Sequence, residues 1–440
     1  MSTRSNGRAS KENHSKDVLA PKTEHYEFGG PLGAAFVTST VPFFSYALYF
    51  VCNEQAGCSI LPKSPALLFK AMKQGVVDSL FDYEGWAIYF AWYAFVVLCW
   101  AILPGRTEEG LSLRTGAKLK YKTNAFATLV ASFGLSAGWI LLKGPAAYTF
   151  FYDHWPALVS ASLSNSLIQA FYVYYASFQQ GKLLAEGGNT GNTLFDWFIG
   201  RELNPRIGSF DIKTFNELRP GLILWALLDF SCACHQYISL GGRITDSMAL
   251  VLIFHTFYVV DALYYESAIF SQMDITTDGF GFMLAVGDLT WVPFVYSLQA
   301  RYLAFAPVDL GFIATAAIFA SNFTGYYIFR TANAEKNDFR KGQNKKNLQF
   351  MTTKSGRKLL TSGWWGRSRH PNYFGDWIMA LSWSLPTGFN TPITYFYFCF
   401  FVVLLVHRQR RDDEACQKKY GKDWDVYISK VPSRIIPYIY

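Results

Sequence analysis

The sequence predicts an all-α polytopic membrane protein, and three observations carry that prediction. The 440-residue chain is 51% hydrophobic and 18% aromatic but only 16% charged, against roughly 25% charged in an average soluble domain. Apolar runs of about 17–25 residues, the length that crosses a bilayer, recur along the chain and leave no room for a separate soluble core. The cations between those runs collect in alternate gaps, as the preference of Lys and Arg for the cytosolic side requires.

The runs fall at residues 33–52, 85–103, 125–142, 157–178, 220–240, 247–270, 279–298 and 307–329. Region 376–407 is too long for one span and carries Pro386, Gly388 and Pro392 near its middle. These breakers predict two shorter helices joined by a turn. Gaps 104–124, 179–219 and 330–362 are rich in Lys and Arg, whereas only Arg243 and Arg301 mark the gaps after the fifth and seventh spans. The tail beyond residue 407 is basic again, so 376–407 enters and returns. The expectation is about ten transmembrane helices with both termini cytosolic. The gap at 271–278 departs from the pattern, with Asp274, Asp278 and no cation.

Residues 1–26 are polar and lack the apolar core of a signal peptide. They are expected to form a disordered cytosolic N-terminus before a single transmembrane domain over 27–440. The net charge of +8 suits nucleic acid in principle. The cations lie beside apolar segments, however, where they set topology and meet lipid headgroups. No nucleic-acid-binding module is visible, so no nucleic-acid partner is expected. Seven Cys occur without a CxxC pair or a zinc pattern, and no metal site is predicted. Cys52 and Cys58 suit a disulfide only if their loop faces an oxidising lumen.

The densest chemical signal is the run Leu359-Leu360-Thr361-Ser362-Gly363-Trp364-Trp365-Gly366-Arg367-Ser368-Arg369-His370-Pro371-Asn372-Tyr373-Phe374-Gly375-Asp376. Cations, stacking rings and amide donors together suit a flat polyanionic ligand such as a nucleotide cofactor. Trp365 and Tyr373 are candidates for stacking, and the Asn372 amide for a carboxamide or phosphate. Upstream, Lys336 and Arg340 are four apart and share one helix face, a spacing that suits a 2′-phosphate or pyrophosphate. Downstream, Arg408, Asp412 and Cys416 fall four apart, with Gly421 as a C-cap. Asp412 suits a ribose hydroxyl or an adenine amine. The three pieces predict a cytosol-facing cofactor pocket in the C-terminal half. The bland readings are an interfacial aromatic belt and juxtamembrane charge.

A second set lies at membrane depth. Span six holds His255, Tyr258, Asp261, Tyr264, Tyr265 and Glu266, followed by Asp274, Asp278 and Asp288. Ionisable groups there are costly and mark a pathway, a relay or a site. Tyr258 and Asp261 are three apart on one face, and a buried tyrosine tied to carboxyls can deliver a proton. A cofactor grip joined to an intramembrane acid suits reduction of a lipid.

The motif run, the tail from Arg410-Arg411-Asp412 to Tyr420-Gly421, and Phe195-Asp196-Trp197-Phe198-Ile199-Gly200-Arg201-Glu202-Leu203-Asn204-Pro205-Arg206 resemble the sterol reductases of the endoplasmic reticulum. The resemblance runs from about Glu27 to Tyr440. Gly200 to Arg206, Glu217 to Gly221 and Met273 to Asp288 look most like the fungal branch acting at C-14. The branches acting at C-24(28) and C-7 are similar. An Arg-His-Pro-Asn-Tyr run also occurs in isoprenylcysteine methyltransferases, which are much shorter. The resemblance implies a ten-helix endoplasmic reticulum membrane enzyme using NADPH on a sterol substrate. Its expected surroundings are membrane lipid and, as possible partners, other sterol-biosynthesis enzymes. Carried over residue by residue, it places NADPH contacts at Lys336, Arg340, Leu360, Trp365, Asn372, Tyr373, Asp412, Cys416, Tyr420 and Tyr427. Arg408 joins Arg340 among the cations expected near phosphate. The proton donor falls on Tyr258, with Asp261, Glu266 or Asp274 in support. The implied reaction protonates C-15 of a Δ14-sterol and quenches the C-14 cation with hydride.

Overall fold

The computed structural model describes residues 18–59 and 64–440. Of the N-terminal stretch expected to be disordered, residues 1–17 lie outside the described residues. From Val18 onward the chain is held to the 184–189 loop: Leu184 N–H donates to Leu19 O at 2.8 Å and Thr23 N–H to Asn189 O at 3.0 Å.

The described chain is mostly helical. Among the described residues, six helices are long and apolar enough to cross a membrane: Gly30–Val51, Tyr83–Ile102, Ala125–Lys143, Ile212–Ser239 (two abutting helices), Asp246–Tyr264 and Gly311–Arg340. Contacts divide the chain into two units. Among the described residues, the first runs from Val18 to Ile244 and takes in 255–306, and the second comprises 245–254 and 307–440.

In the first unit, α1 (Gly30–Val51) is followed by α2 (Pro65–Phe81) and α3 (Tyr83–Ile102). Ser64 caps α2 by accepting from Leu67 N–H, and Asp82 caps α3 by accepting from Gly85 N–H. Cys52 and Cys58 are joined as a disulfide just past the end of α1. The hairpin β1 (Arg106–Ser112) and β2 (Lys118–Thr123) holds the cations of gap 104–124 outside the helices. Next come α4 (Ala125–Lys143) and α5 (Trp155–Ala176). Asn124 ties the end of α3 to the start of α4, its amide donating to Trp100 O at 3.0 Å and Leu103 O at 3.1 Å.

Then follow α6 (Thr193–Ile199), the short pair β3 (Arg206–Ile207) and β4 (Phe210–Asp211), α7 (Ile212–Leu218) and α8 (Pro220–Ser239). Span six becomes α9 (Asp246–Tyr264), which ends six residues short of the predicted 270 because the chain tightens into a 3-10 turn at Glu266–Ser271. Span seven is not one helix. It runs as α10 (Phe282–Val286), a π turn at Gly287–Trp291, α11 (Val292–Tyr296) and α12 (Leu298–Phe305). Pro293 explains the break: it lacks the N–H that the α ladder needs, so the turn before it widens.

The second unit is built on α13 (Gly311–Arg340) and α14 (Pro371–Ser384). Asp246 starts α13 by accepting from Leu310 N–H and Gly311 N–H at 2.8 Å each. The helical extension expected around 333–340 is the last part of this helix. The two axes come unusually close where Gly325 faces Gly375: a Cβ on Gly325 would lie 2.8 Å from Gly375 O, and one on Gly375 2.6 Å from Gly325 O. Small residues permit such an approach between membrane helices. Here it brings the start of α14 beside the last turns of α13. Between them lie β5 (Phe350–Thr352) and β6 (Lys358–Leu360). Region 376–407 is two helices, as its breakers predict: α14 gives way to 3-10 turns at Leu385–Thr387 and Ile393–Tyr395 before α15 (Phe396–Tyr420). The chain closes with α16 (Lys422–Lys430).

Candidate functional site

The three motif pieces of the second unit converge. Lys336, near the end of α13, sets its ammonium 3.9 Å from the centroid of the Trp365 ring, a cation–π contact. The Trp365 indole donates to Ala332 O at 2.8 Å, and the ring is only 5% exposed. One face that the sequence offered for stacking is thus covered by Lys336. The neighbouring Glu335 accepts from Trp364 N–H at 2.8 Å, which sets the loop that carries Trp365.

Tyr373, in the first turn of α14, donates to Asp412 Oδ2 at 3.2 Å. The His370 ring stacks on Tyr373 with centroids 4.8 Å apart and planes 12° from parallel. Its Nδ1 lies 3.9 Å from the same Asp412 oxygen. Asp412 and Asp413 are consecutive on α15, about 100° apart around the helix, and serve different partners. Asp413 accepts from Arg369 at 3.1 Å and from Gln409. Arg369 also donates to Val431 O and Pro432 O, each at 3.1 Å, pinning the C-terminal segment to the motif loop.

The same groups act on one another electrostatically. Arg340, Asp412 and Cys416 all act on Lys336. Burial pushes the Asp412 carboxyl above its usual range, opposed by Arg408, the Tyr373 hydroxyl, Lys336 and Arg411. Burial, followed by Lys336, Arg369 and Arg408, pushes His370 down to about 3, so the ring is neutral at physiological pH. Burial, then Asp412, pushes the Cys416 thiol up to about 11. Tyr427 belongs to a buried cluster with Trp424 and Val431, on which Cys416 and Tyr420 pack. Burial raises its phenol, and Arg369 and Cys416 act on it next. Leu360 is buried in β6 opposite Phe350.

A polyanion fits this cradle. Lys336, Arg340, Arg408 and Arg411 outnumber the carboxylates of Asp412 and Asp376, which share Arg408 and Tyr373 as neighbours. Asn372 Oδ1, Ser368 Oγ and Gln409 Oε1 are buried without a hydrogen-bond partner. Unsatisfied buried acceptors cost free energy that a polar ligand relieves. An amide oxygen such as that of Asn372 suits a carboxamide N–H.

The intramembrane set belongs to the first unit. Tyr258 lies with its ring centroid 6.0 Å from that of Trp225. Trp225 also meets Tyr296 edge-on at 5.3 Å. One turn before Tyr258, the fully buried His255 places Nδ1 2.8 Å from Asp229 Oδ2 on α8. Asp261 is partly exposed on α9. Glu266 is held in place: it pairs with Arg219, itself 2% exposed at the side chain, and accepts from Ala125 N–H at 2.8 Å. Asp274 acts electrostatically on the buried Lys213 and on Asp288.

Residue spacing missed four participants. His370 and Arg369 read only as parts of a cation-rich run, and Asp413 was hidden beside Asp412. Asp229 sits alone in an apolar helix. An ionisable group in an apolar run was the available signal for Asp229.

Helices long and apolar enough to cross a bilayer, with a basic, aromatic cradle in the second unit, define a helical membrane protein. The profile of the "Ergosterol biosynthesis ERG4/ERG24 family" matches residues 22–440, and the chain belongs to that family. It is 51% identical over 429 residues to the Delta(14)-sterol reductase erg24 of Schizosaccharomyces pombe, covering 97% of this chain and 100% of the relative. It is 44% identical to the Delta(14)-sterol reductase ERG24 of Saccharomyces cerevisiae, covering 96% and 99%. It is 43% identical to that of Candida albicans, with the same coverage.

Proposed function

We propose that this protein reduces the C14=C15 double bond of a sterol intermediate in ergosterol biosynthesis, with NADPH as reductant. The cradle around Lys336, Tyr373 and Asp412, in a chain of this family, is the observation that carries the reading. NADPH supplies the hydride. Lys336, Arg340 and Arg408 would hold its phosphates, and Asn372 would hold the carboxamide. Tyr373, fixed by Asp412 and His370, orients the rings, while Leu360, Tyr420 and Tyr427 keep water away.

The proton comes from the protein. Tyr258 donates to C-15, and the tertiary cation at C-14 is stabilised by aromatic faces in a water-poor chamber. Asp261, on the same helix face, supports Tyr258, with Asp274 as the second carboxylate. Glu266, engaged by Arg219 and Ala125, acts by holding the start of α4.

The proposed setting is the endoplasmic reticulum membrane with both termini cytosolic. Ten spans arise when α5, the interrupted stretch from Phe282 to Phe305, α14 and α15 are added to the six apolar helices. The Cys52–Cys58 disulfide, at the end of α1, suits the lumenal side of that arrangement.

The test is Tyr258→Phe in purified protein. Turnover is expected to fall about 10²- to 10⁴-fold, the usual worth of a general acid, with NADPH affinity unchanged. Retained turnover would reject Tyr258 as donor. Cells lacking the protein are expected to accumulate Δ8,14 dienes, and accumulation of a different diene would move the reaction to another sterol bond.

A further inference from the structure

The first unit contains a cavity of about 1090 Å³ between the end of α1, the helix α2 and the start of α5. It exceeds the roughly 300–1,000 Å³ of ordinary small-molecule sites. Because α1 is long and apolar enough to span a bilayer, the cavity at its C-terminal end lies at a membrane face, at headgroup level.

Arg301 lines this cavity and is 3% exposed. Its guanidinium lies 4.2 Å from the Tyr49 ring centroid, 4.7 Å from that of Tyr152 and 4.8 Å from that of Trp155. Three aromatic faces replace part of its hydration. They accept no directed hydrogen bond at the edge of the plane, and Nε and Nη1 remain without an acceptor. No carboxylate pairs with Arg301 among the described residues. Guanidinium is always charged and is only a donor, and a buried charge left in this state is strongly unfavourable. An anion bound in the cavity removes that penalty.

Among the described residues, the other charged groups on the lining are acidic: Glu54, Asp78, Asp82 and Asp153, of which Asp82 is already engaged by His154 Nδ1 at 2.7 Å. Glu54 is oriented by the Tyr152 hydroxyl at 2.6 Å, so one ring of the cage also fixes a carboxylate. A site with one unsatisfied cation and an acidic surround disfavours a purely anionic ligand. It suits one that carries a negative group beside a positive one.

We propose that this cavity holds the head of a zwitterionic phospholipid, with the phosphate on Arg301 and the ammonium toward Glu54 and Asp78. The site is independent of the cofactor cradle and of the sterol reaction. It would retain a lipid from the leaflet at that face and brace α1 and α2 against α5.

The experiment uses the full chain in detergent, stripped of lipid, with thermal unfolding and tryptophan fluorescence as readouts. Short-chain phosphatidylcholine, short-chain phosphatidylglycerol, phosphocholine and inorganic phosphate are titrated separately. Phosphatidylcholine is expected to raise the melting temperature and to act at a concentration at least tenfold lower than phosphatidylglycerol. Arg301→Met is expected to abolish the shift. Should that variant fail to fold, Asp78→Asn, on the rim, is expected to narrow the preference to under threefold. Equal responses to both lipids in the wild type, or an unchanged preference in Asp78→Asn, would overturn the proposal. A shift of the same size with inorganic phosphate alone would assign the cavity to a free anion and overturn the lipid reading.

Discussion

Gly363→Ala is the most telling single perturbation of the cradle. Gly363 sits at φ 69°, ψ −145°, a region essentially reserved for glycine. An alanine held there costs about 1–3 kcal/mol. Its Cβ would also lie 2.3 Å from Glu335 Oε1, the atom that accepts from Trp364 N–H. The carboxylate must swing away, and a hydrogen bond to a charged acceptor contributes about 1.5–3 kcal/mol. Even the lower ends of the two ranges sum to about 2.5 kcal/mol, and tenfold in affinity corresponds to about 1.4 kcal/mol. The loop carrying Trp365 loses its anchor, and Lys336 loses the ring beneath it. NADPH binding, followed by tryptophan quenching in detergent, is therefore expected to weaken roughly sixtyfold. Gly342→Ala is the control. Gly342 has φ 80° but nothing within 4 Å of a new Cβ, so it strains the backbone without touching Glu335. Binding by Gly363→Ala within about threefold of wild type, a difference under 1 kcal/mol, would refute the claim that Glu335 and Gly363 set the cradle.

Other outcomes follow from the same contacts. Arg369→Ala leaves Asp413 without its cation and frees Val431 and Pro432; a loss of about 3–5 kcal/mol is expected, read as a lower melting temperature and faster proteolysis beyond residue 420. An unchanged protease pattern would argue against the clamp. His370 has a folded pKa of about 3, below its ordinary 6.5, so less folded forms bind the extra proton. Its contribution is fully present above pH 6.5 and is lost as pH falls toward 3, about 1.4 kcal/mol by pH 5.5. His370→Asn is expected to flatten that part of the cofactor-free stability profile, and a profile parallel to wild type would reject the assignment. Glu266→Gln removes the charge opposite the buried Arg219; thermal stability is expected to drop by at least about 1.5 kcal/mol with most turnover retained. Lost turnover at normal stability would make Glu266 part of the chemistry.

The residues of the cradle were largely legible in the chain because they lie in short local patterns. Lys336 and Arg340, or Arg408, Asp412 and Cys416, fall on one face by helical periodicity alone. The apolar runs, the breakers at Pro386 and Pro392 and the basic gaps likewise depend on composition within about twenty residues, the scale of one membrane crossing. Partner choice was not legible. Asp412 meets Tyr373 while Asp413 meets Arg369, and the one-residue difference decides which carboxylate joins the cradle and which clamps the C-terminal segment. Glu266 reads as an acid at membrane depth, but its pairing with Arg219, 47 positions away, is not written in its neighbours. Arg301 looked like a sparse loop cation until three rings were found around it. Such contacts join residues far apart in the chain through packing, and no periodicity within a helix encodes which distant side chain fills the space beside it. The sequence by itself determined the membrane class and most of the apolar helices; the tertiary structure alone decided where span seven breaks, which charges are paired, which are buried neutral and which are left facing a cavity.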